Sequence, residues 1–105
     1  MVTKGLIVRL EAKPGKEQEV AAFLVDALPF VQNERETLAW FAVRISPSSF
    51  AIVDVFPDEA GRRAHLDGPV ATALSQSGKG LLAKPPAIEQ VDVIAAKLET
   101  KRAES

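Results

Sequence analysis

The residues with the clearest chemical potential are Asp54 and His65, the chain's only histidine. Asp54 falls within an alternating apolar run, residues 50–56, and a short predicted helix that begins after Pro57 carries His65. An acid in an apolar strand and a histidine soon after it can direct two titratable groups into one pocket. His65 is then a candidate catalytic base, because imidazole titrates near pH ~6.5, and Asp54 is a candidate partner that orients it. The alternative is structural, with the histidine satisfying a buried acid.

Trp40 and Arg44, on the preceding predicted strand, form a second candidate group. They alternate with Ala42 and therefore share one face of the strand. Tryptophan is suited to stacking on an aromatic ligand, and arginine is suited to stabilising its anion. The alternative is that Trp40 packs in the core or a subunit interface while Arg44 pairs with an acid.

Other kinds of chemical site find little support in the sequence. Ser77-Gly78-Lys79-Gly80 lacks the context and spacing of a phosphate-binding loop and is predicted to be a turn. One histidine with scattered carboxylates does not form a recognisable metal-ligand set, and no serine lies in a nucleophile-elbow pattern. We therefore expect neither a metal nor a cofactor.

Composition limits the partners and the location that we expect. The chain has 105 residues, 13 basic and 14 acidic side chains and a formal charge of −1, so no overall field attracts nucleic acid or an anionic membrane. It has no cysteine, which fits a reducing compartment, and no apolar run approaches the ~20 residues of a membrane span. We expect a cytoplasmic protein that binds neither nucleic acid nor membranes.

Hydrophobic periodicity and turn residues predict the elements that must position these side chains. Strands are predicted over residues 6–11, 38–45, 50–56 and 88–94. The first helix starts at Lys16 and has an apolar stripe, and Pro29 is predicted to end or kink it near Leu28. A second helix runs from an N-cap at Asp58 to Leu66, and another helical piece follows and ends before Ser77. The predicted apolar stripe of the first helix comprises Val20, Phe23, Leu24, Ala27, Leu28 and Val31.

This order is βαββαβ, which predicts an α+β, ferredoxin-like fold with a four-stranded antiparallel sheet and helices on one face. We assign residues 1–96 to this single domain and residues 97–105 to a charged tail. Because the first two strands are apolar on nearly both sides, the second sheet face should not remain in water. Face-to-face pairing of two sheets in a homodimer would cover it.

Four segments in this order resemble the antibiotic biosynthesis monooxygenase domain of the dimeric α+β barrel superfamily, and the resemblance covers nearly the whole chain. The segments are Lys13-Pro14-Gly15-Lys16-Glu17, Thr37-Leu38-Ala39-Trp40, residues 50–60 and Ala64-His65-Leu66. The chain departs from the family at Asp54, where glutamate is frequent, and at Phe56, where tryptophan is frequent. It also departs before the second strand, where the family often has Glu-Pro-Gly-Thr and this chain has Glu34-Arg35-Glu36-Thr37. Family likeness implies a homodimer with a pocket in each subunit between sheet and helices.

The resemblance implies a cofactor-independent monooxygenase that oxidises a hydrophobic phenol, quinol or polyketide-like substrate with dioxygen. His65 and Asp54 are then the expected catalytic residues, and Trp40, Arg44, Ile52 and Phe56 are expected to contact a small aromatic ligand. The asparagine, tryptophan and tyrosine proposed as catalytic in some oxygenase branches would fall near Ile52, Phe56 and Arg62, so that machinery is absent. The haem-degrading branch needs a histidine where Ser75, Gln76 and Ser77 stand. The alternative is a ligand-binding or stress-associated dimer without catalysis.

Overall fold

Four strands and three helices follow one another in the order β1 α1 β2 β3 α2 α3 β4. The structure is a computed structural model of the chain, and it describes residues 1–99. The predicted βαββαβ order is confirmed, with its second helical region divided in two at Gly68. The elements are β1 (Lys4–Glu11), α1 (Glu17–Gln32), β2 (Ala39–Arg44), β3 (Ser49–Phe56), α2 (Glu59–Leu66), α3 (Pro69–Leu81) and β4 (Ala87–Asp92).

The strands form one antiparallel sheet in the order β2-β3-β1-β4. The predicted ferredoxin-like α+β fold is therefore confirmed. Its register places Asp54 on β3 between Trp40 on β2 and Leu6 on β1. Because residues opposite each other in antiparallel strands point to the same face, these three side chains share the face that carries the helices.

The core lies between that face and the helices. Alternation in β1 and β3 turns apolar side chains towards α1 and α3, where the apolar stripes of both helices cover them. Burial of each such side chain contributes about 1.5–3 kcal/mol, so the layer fixes the position of the helices on the sheet. The largest buried apolar group contains Leu6, Val8, Leu10, Ala12, Val20, Leu24, Phe50, Ile52, Phe56, Leu74 and Leu82.

The opposite face of the sheet carries apolar side chains that no layer formed by residues 1–99 covers. Phe41 on β2 is 61% exposed, and Val43 and Val53 beside it are also exposed. Ile7, Val55 and Val91 occupy the same face by register. The second apolar face of the sheet, which the sequence predicts to need a cover, is thus present.

Helix α1 does not end near Leu28, so the predicted end is wrong, while the alternative of a kink at Pro29 stays a prediction. The helix continues through Pro29 to Gln32. Proline lacks the amide that would bond to the Val25 carbonyl, but Val25 is an exposed residue, and water can satisfy its carbonyl on that side. Burial of Ala27 and Val31 holds the last turns against the core. Leu28, predicted to belong to the buried stripe, is instead exposed.

The segment Ser77-Gly78-Lys79-Gly80 is not a turn, which corrects a second prediction. It forms the last turns of α3, which extends to Leu81. Gly78 is buried, and the Leu82 amide donates to its carbonyl at 2.8 Å. A Cβ on Gly78 would lie 3.4 Å from Leu82 Cδ1, which is an ordinary van der Waals contact. Packing of Leu74 and Leu82 in the core offsets the low helix propensity of two glycines.

Strand β4 begins one residue earlier than predicted and ends at Asp92, two residues before the predicted end. The Val93 amide still donates to the Thr3 carbonyl at 2.9 Å. Beyond it the backbone leaves the sheet, and Ile94 is 97% exposed. Residues 100–105 of the predicted charged tail lie outside the described part of the chain.

Candidate functional site

His65 lies between two carboxylates in the layer between sheet and helices. Its Nδ1 is 2.6 Å from Glu34 Oε1, and its Nε2 is 3.0 Å from Asp54 Oδ2. The Asp54 contact lies off the hydrogen-bond direction, so it is an ion-pair contact rather than an aligned hydrogen bond. Asp54 is 1% exposed and His65 is 8% exposed. The sequence prediction brought Asp54 and His65 near one apolar layer, and their side chains do meet.

Glu34 is the member of this array that the sequence reasoning missed. It lies in the loop between α1 and β2, and Thr37 Oγ1 donates to its Oε1 at 2.7 Å. Its spacing from Thr37 was visible in the sequence, but the loop appeared only as a polar linker. A carboxylate 31 residues from its histidine has no local signature, because the approach depends on how α1 and α2 pack.

Three elements fix the array. Asp58 caps α2 by accepting from the Gly61 amide at 2.9 Å, as predicted, and α2 then presents His65 on its sheet-facing side. Phe56, fully buried at the end of β3, packs against the imidazole with ring centroids 5.4 Å apart. Asp54 comes from the middle of β3, two residues earlier. The imidazole is therefore held on its edges by carboxylates and on its side by an aromatic ring.

Burial tends to lower the pKa of His65, while its contacts with Asp54 and Glu34 and their negative charges raise it. The net effect holds the pKa of His65 above its usual value. The imidazolium form has two N–H donors, one for each carboxylate. It is thus the form that compensates the buried charge of Asp54.

A cavity of about 140 Å³ lies beside the imidazole, between the sheet, α2 and α3. His65 is the one titratable group in its wall, and Ser75 supplies a hydroxyl. The remaining wall is apolar and includes Ile52, one of the predicted ligand contacts. This space, hereafter the His65 cavity, is lined by Leu6, Val8, Ile52, His65, Leu66, Val70, Ala71, Leu74, Ser75, Pro86 and Ile88.

Trp40 and Arg44 line a different space. A cleft of about 410 Å³ lies between α1 and β2, and it contains both side chains together with the exposed Leu28. Arg44 donates to the Pro47 carbonyl at 3.2 Å, and its guanidinium lies 4.7 Å from the centre of the Phe50 ring. The structure therefore does not bring Trp40 and Arg44 together with His65 in one cavity. This second space is hereafter the Trp40 cleft.

Arg62, near which the tyrosine of some oxygenase branches would fall, makes contacts that hold secondary-structure elements together. Its Nη1 donates to the carbonyls of Gly5 at 3.2 Å and Val91 at 3.1 Å, and its Nη2 contacts Glu59. The guanidinium is 6% exposed and ties α2 to β1 and β4. Its role is to hold α2, and hence His65, on the sheet.

Several buried polar atoms in residues 1–99 have no hydrogen-bond partner, and most of them surround this array. They are Glu34 Oε2, Trp40 Nε1, Asp54 Oδ1, Asp54 Oδ2 and Arg62 Nε. Each buried polar atom without a partner lowers the stability of the fold, and such atoms are frequent at functional sites. Both carboxylates beside His65 therefore keep an oxygen that is able to accept a proton.

The described residues contain no group of three or more histidine, cysteine or acidic side chains placed to hold a metal ion. Within the same part of the chain, no helix has the length and apolar character needed to cross a membrane. The chemistry that the array offers is proton transfer and charge compensation beside an apolar cavity.

Solved structures provide the relevant comparisons. The NE2512 protein of unknown function from Nitrosomonas europaea is 50% identical, with a TM-score of 0.94, and the match covers 96% of this chain and 98% of that one. PA3566 from Pseudomonas aeruginosa is 20% identical with a TM-score of 0.77, over 90% of this chain and 97% of that one. A structure named as an antibiotic biosynthesis monooxygenase is 17% identical with a TM-score of 0.76, over 88% of this chain and 99% of that one.

No protein-family model matches the sequence, and no curated protein matches it. The similarity to NE2512 extends over both whole chains at a level of identity that implies common descent. The more distant structures share the fold, which does not by itself determine activity. This chain therefore belongs to the same family as the NE2512 protein and has the fold of the antibiotic biosynthesis monooxygenase-like proteins.

Proposed function

We propose that the protein is a cofactor-independent monooxygenase that oxidises one electron-rich phenol or quinol ring with dioxygen in the His65 cavity. The observation that supports this most is a histidine in the wall of an otherwise apolar cavity, with two carboxylates behind it that contact both imidazole nitrogens. The apolar wall limits the access of water to a reactive intermediate, and His65, which lines the cavity, can take up the phenolic proton.

The size of the cavity narrows the substrate. An apolar cavity of about 150 Å³ is known to stay dry and to bind benzene. The His65 cavity is about 140 Å³, so it fits a single ring. Fused-ring polyketides need the larger volumes usual for drug-sized ligands. The expected substrates are phenols, quinols or polyketide-like compounds. We therefore restrict them to compounds in which the reacting ring is a single ring that fits the His65 cavity by itself.

The reaction needs no reductant besides the substrate. The ring hydroxyl loses its proton, the resulting anion transfers an electron to dioxygen, and the two species combine at a ring carbon that carries hydrogen. Loss of water then leaves a quinone. The ring keeps one oxygen atom of dioxygen, and the second oxygen atom leaves as water together with two hydrogen atoms of the substrate. Of the three groups in the array, His65 lines the cavity, so its neutral imidazole takes up the proton, and the carboxylates of Asp54 and Glu34 stabilise the imidazolium that forms.

A second function is favoured by one observation. Both nitrogens of His65 already face carboxylates, so the imidazole can compensate their charge and hold the fold without reacting. The protein would then bind an aromatic molecule without transforming it. Oxygen uptake separates the two functions, since only the first consumes dioxygen in proportion to quinol.

The test measures oxygen consumption with a panel of single-ring quinols and phenols. We expect turnover by the wild type, with product quinone and one molecule of dioxygen consumed for each ring oxidised. Asp54→Asn and His65→Ala should each lower the rate at least tenfold, with circular dichroism confirming that the variants fold. Unchanged turnover in both variants would exclude this site, and absence of turnover on every compound would favour binding alone.

A matched pair of variants locates the ring without altering the array. Ala71 lines the His65 cavity, and Ala42 lines the Trp40 cleft. Ala71→Leu should reduce the cavity and weaken substrate binding, whereas Ala42→Leu should leave it unchanged. The reverse result would place the substrate in the Trp40 cleft.

We further propose that the protein is a homodimer in which two sheets pack through their uncovered faces. An apolar face that includes an exposed Phe41 is unusual on a monomer and typical of an interface. The almost fully exposed Ile94, beyond β4, is a further apolar contact for a partner. Light scattering at micromolar concentration should give twice the mass of 11.3 kDa. Phe41→Asp should give the monomer, and a wild-type monomer would contradict the proposal.

A further inference from the structure

A second cleft adjoins the His65 cavity along α3. It has a volume of about 470 Å³ and shares Ser75 and Pro86 with the His65 cavity as lining residues. Its other walls come from the end of α3 and the segment before β4. Three lysines, Lys13, Lys79 and Lys84, line it. An apolar space for a ring therefore lies beside a space lined by positive charges.

The positive charge of this cleft is largely uncompensated by nearby acids. Lys79 and Lys84 form no ion pair within 4.0 Å among residues 1–99. Glu11 is the acid that feels the positive charge of Lys84. Its carboxylate already accepts hydrogen bonds from Ser48 and Ser49, and these bonds, more than Lys84, lower its pKa. A local concentration of three lysines contrasts with a chain whose formal charge is −1. Such a concentration attracts anions.

Lys13 differs from the other two lysines. Its Nζ donates to the Lys79 carbonyl at 2.9 Å and thus stabilises the C-terminal end of α3. This contact uses the backbone of Lys79, and it leaves the ammonium group of that residue free for a ligand. Lys79 and Lys84 are therefore the two side chains best placed to bind an anion.

Helical geometry gives the distance between the two spaces. Ala71 lines the His65 cavity, Ser75 lines both spaces and Lys79 lines the cleft, at intervals of four residues on one side of α3. A rise of 1.5 Å per residue separates Ala71 from Lys79 by about 12 Å along the axis. Since a lysine side chain reaches back several ångströms, a ring and an acidic group a few bonds apart can occupy both spaces at once.

We propose that the lysine cleft binds an anionic group of the substrate, which is thus a single phenol or quinol ring with a carboxylate or similar acid on a short side chain. This inference rests on the proposed function, because it takes the His65 cavity as the place of the ring. The charged cleft then orients the ring, and Ser75 lies where the side chain of the substrate passes.

The test compares 3-(2,5-dihydroxyphenyl)propanoate with its methyl ester, which has the same ring without the charge. Calorimetric titration under nitrogen measures binding to the full chain without oxidation. We expect the wild type to bind the acid about tenfold more tightly than the ester, a difference of ~1.4 kcal/mol. Lys79→Gln/Lys84→Gln should abolish this preference while the ester binds as before, and added salt should weaken it.

The control is Arg35→Gln/Arg63→Gln, which removes two charges from exposed positions outside the cleft. It should keep the tenfold preference. Equal affinity for acid and ester in the wild type, or a preference that survives in Lys79→Gln/Lys84→Gln, would overturn the proposal.

Two further results separate this inference from the proposed function. A preference for 3-phenylpropanoate over its methyl ester that depends on Lys79 and Lys84, without oxygen uptake on the dihydroxy acid, would support the anion site and exclude the oxygenase. Oxidation of acid and ester with equal affinity would support the oxygenase and exclude the anion site. If neither dihydroxy compound binds, both proposals are wrong.

Discussion

The His65 cavity and the Trp40 cleft lie on the same side of the sheet but are built differently. In the first, a buried histidine and two carboxylates come from three separate parts of the chain and are held by α2, β3 and the loop before β2. In the second, Arg44 is exposed and contacts only its own hairpin, through Pro47 and Phe50. Buried charges need several fixed partners, whereas an exposed arginine needs few.

This difference implies that a charged side chain contributes differently to stability in the two regions. A carboxylate withdrawn from water depends strongly on its counter-ion, so the His65 array should couple protonation, stability and ligand binding. The Arg44 guanidinium keeps its hydration and should contribute little to stability. Four substitutions or conditions test this contrast, beginning with the largest expected effect.

Replacement of Asp54 by alanine should have the greatest effect on stability. The Asp54 side chain is fully buried, and removal of one partner of a buried ion pair typically costs about 3–5 kcal/mol. Chemical denaturation should therefore show a loss of this size in the free energy of unfolding. A loss below about 1 kcal/mol would mean that Asp54 and His65 do not depend on each other.

Glu34→Gln should have an intermediate effect of about 1–2 kcal/mol, since the amide oxygen can still accept from the imidazole but without its charge. The same substitution should lower the pKa of His65, because it removes one of the charges that raise it. Nuclear magnetic resonance of the single histidine measures this pKa directly. An unchanged pKa would show that Glu34 is not part of the array in solution.

The stability should also depend on pH through His65. Folding raises the pKa of His65, so the stabilisation is fully present below the unfolded pKa of ~6.5 and is lost as pH rises through the folded pKa. We expect the free energy of unfolding to decrease over this interval in the wild type. In His65→Gln, which lacks the titrating group, that decrease should be absent. An equal decrease in both proteins would assign it to another residue.

Arg44→Ala should change stability least, by less than about 1 kcal/mol, because it removes one exposed hydrogen bond and a solvated cation–π contact. Denaturation under the same conditions as for Asp54→Ala provides the comparison. A loss as large as that of Asp54→Ala would remove the contrast between the two regions.

The sequence predicted the fold more fully than the site, for reasons visible at particular residues. The apolar run of β1, the alternation in β3 and the Asp58 cap are local signals, and such signals suffice for the order of elements along the chain and for the start of α2. Alternation placed Trp40, Ala42 and Arg44 on one face of β2, and the register confirms this by pairing them with Asp54, Ile52 and Phe50 on β3. It could not show that the helices divide this face into two spaces, because that depends on where α1 and α3 pack.

The incorrect predictions of helix ends and the missed site residue have one cause, which is packing between distant parts of the chain. Pro29 and Gly78 are local helix breakers, but buried residues beside them hold their helices in place. Glu34 could not be predicted, since it lies in a loop and its partner His65 lies on α2, and no local pattern indicates such a contact. Distant packing thus decides both where the helices end and which polar groups meet.

The chain provides a direct test of the central claim, because it contains one histidine and one tryptophan, and each lines a different space. Titration of ¹⁵N-labelled protein under nitrogen with a single-ring quinol reports on both side chains in one experiment. We predict that the imidazole resonances of His65 shift and saturate while the indole N–H of Trp40 stays unchanged. A saturable shift at Trp40 without one at His65 would contradict the assignment of the ring to the His65 cavity.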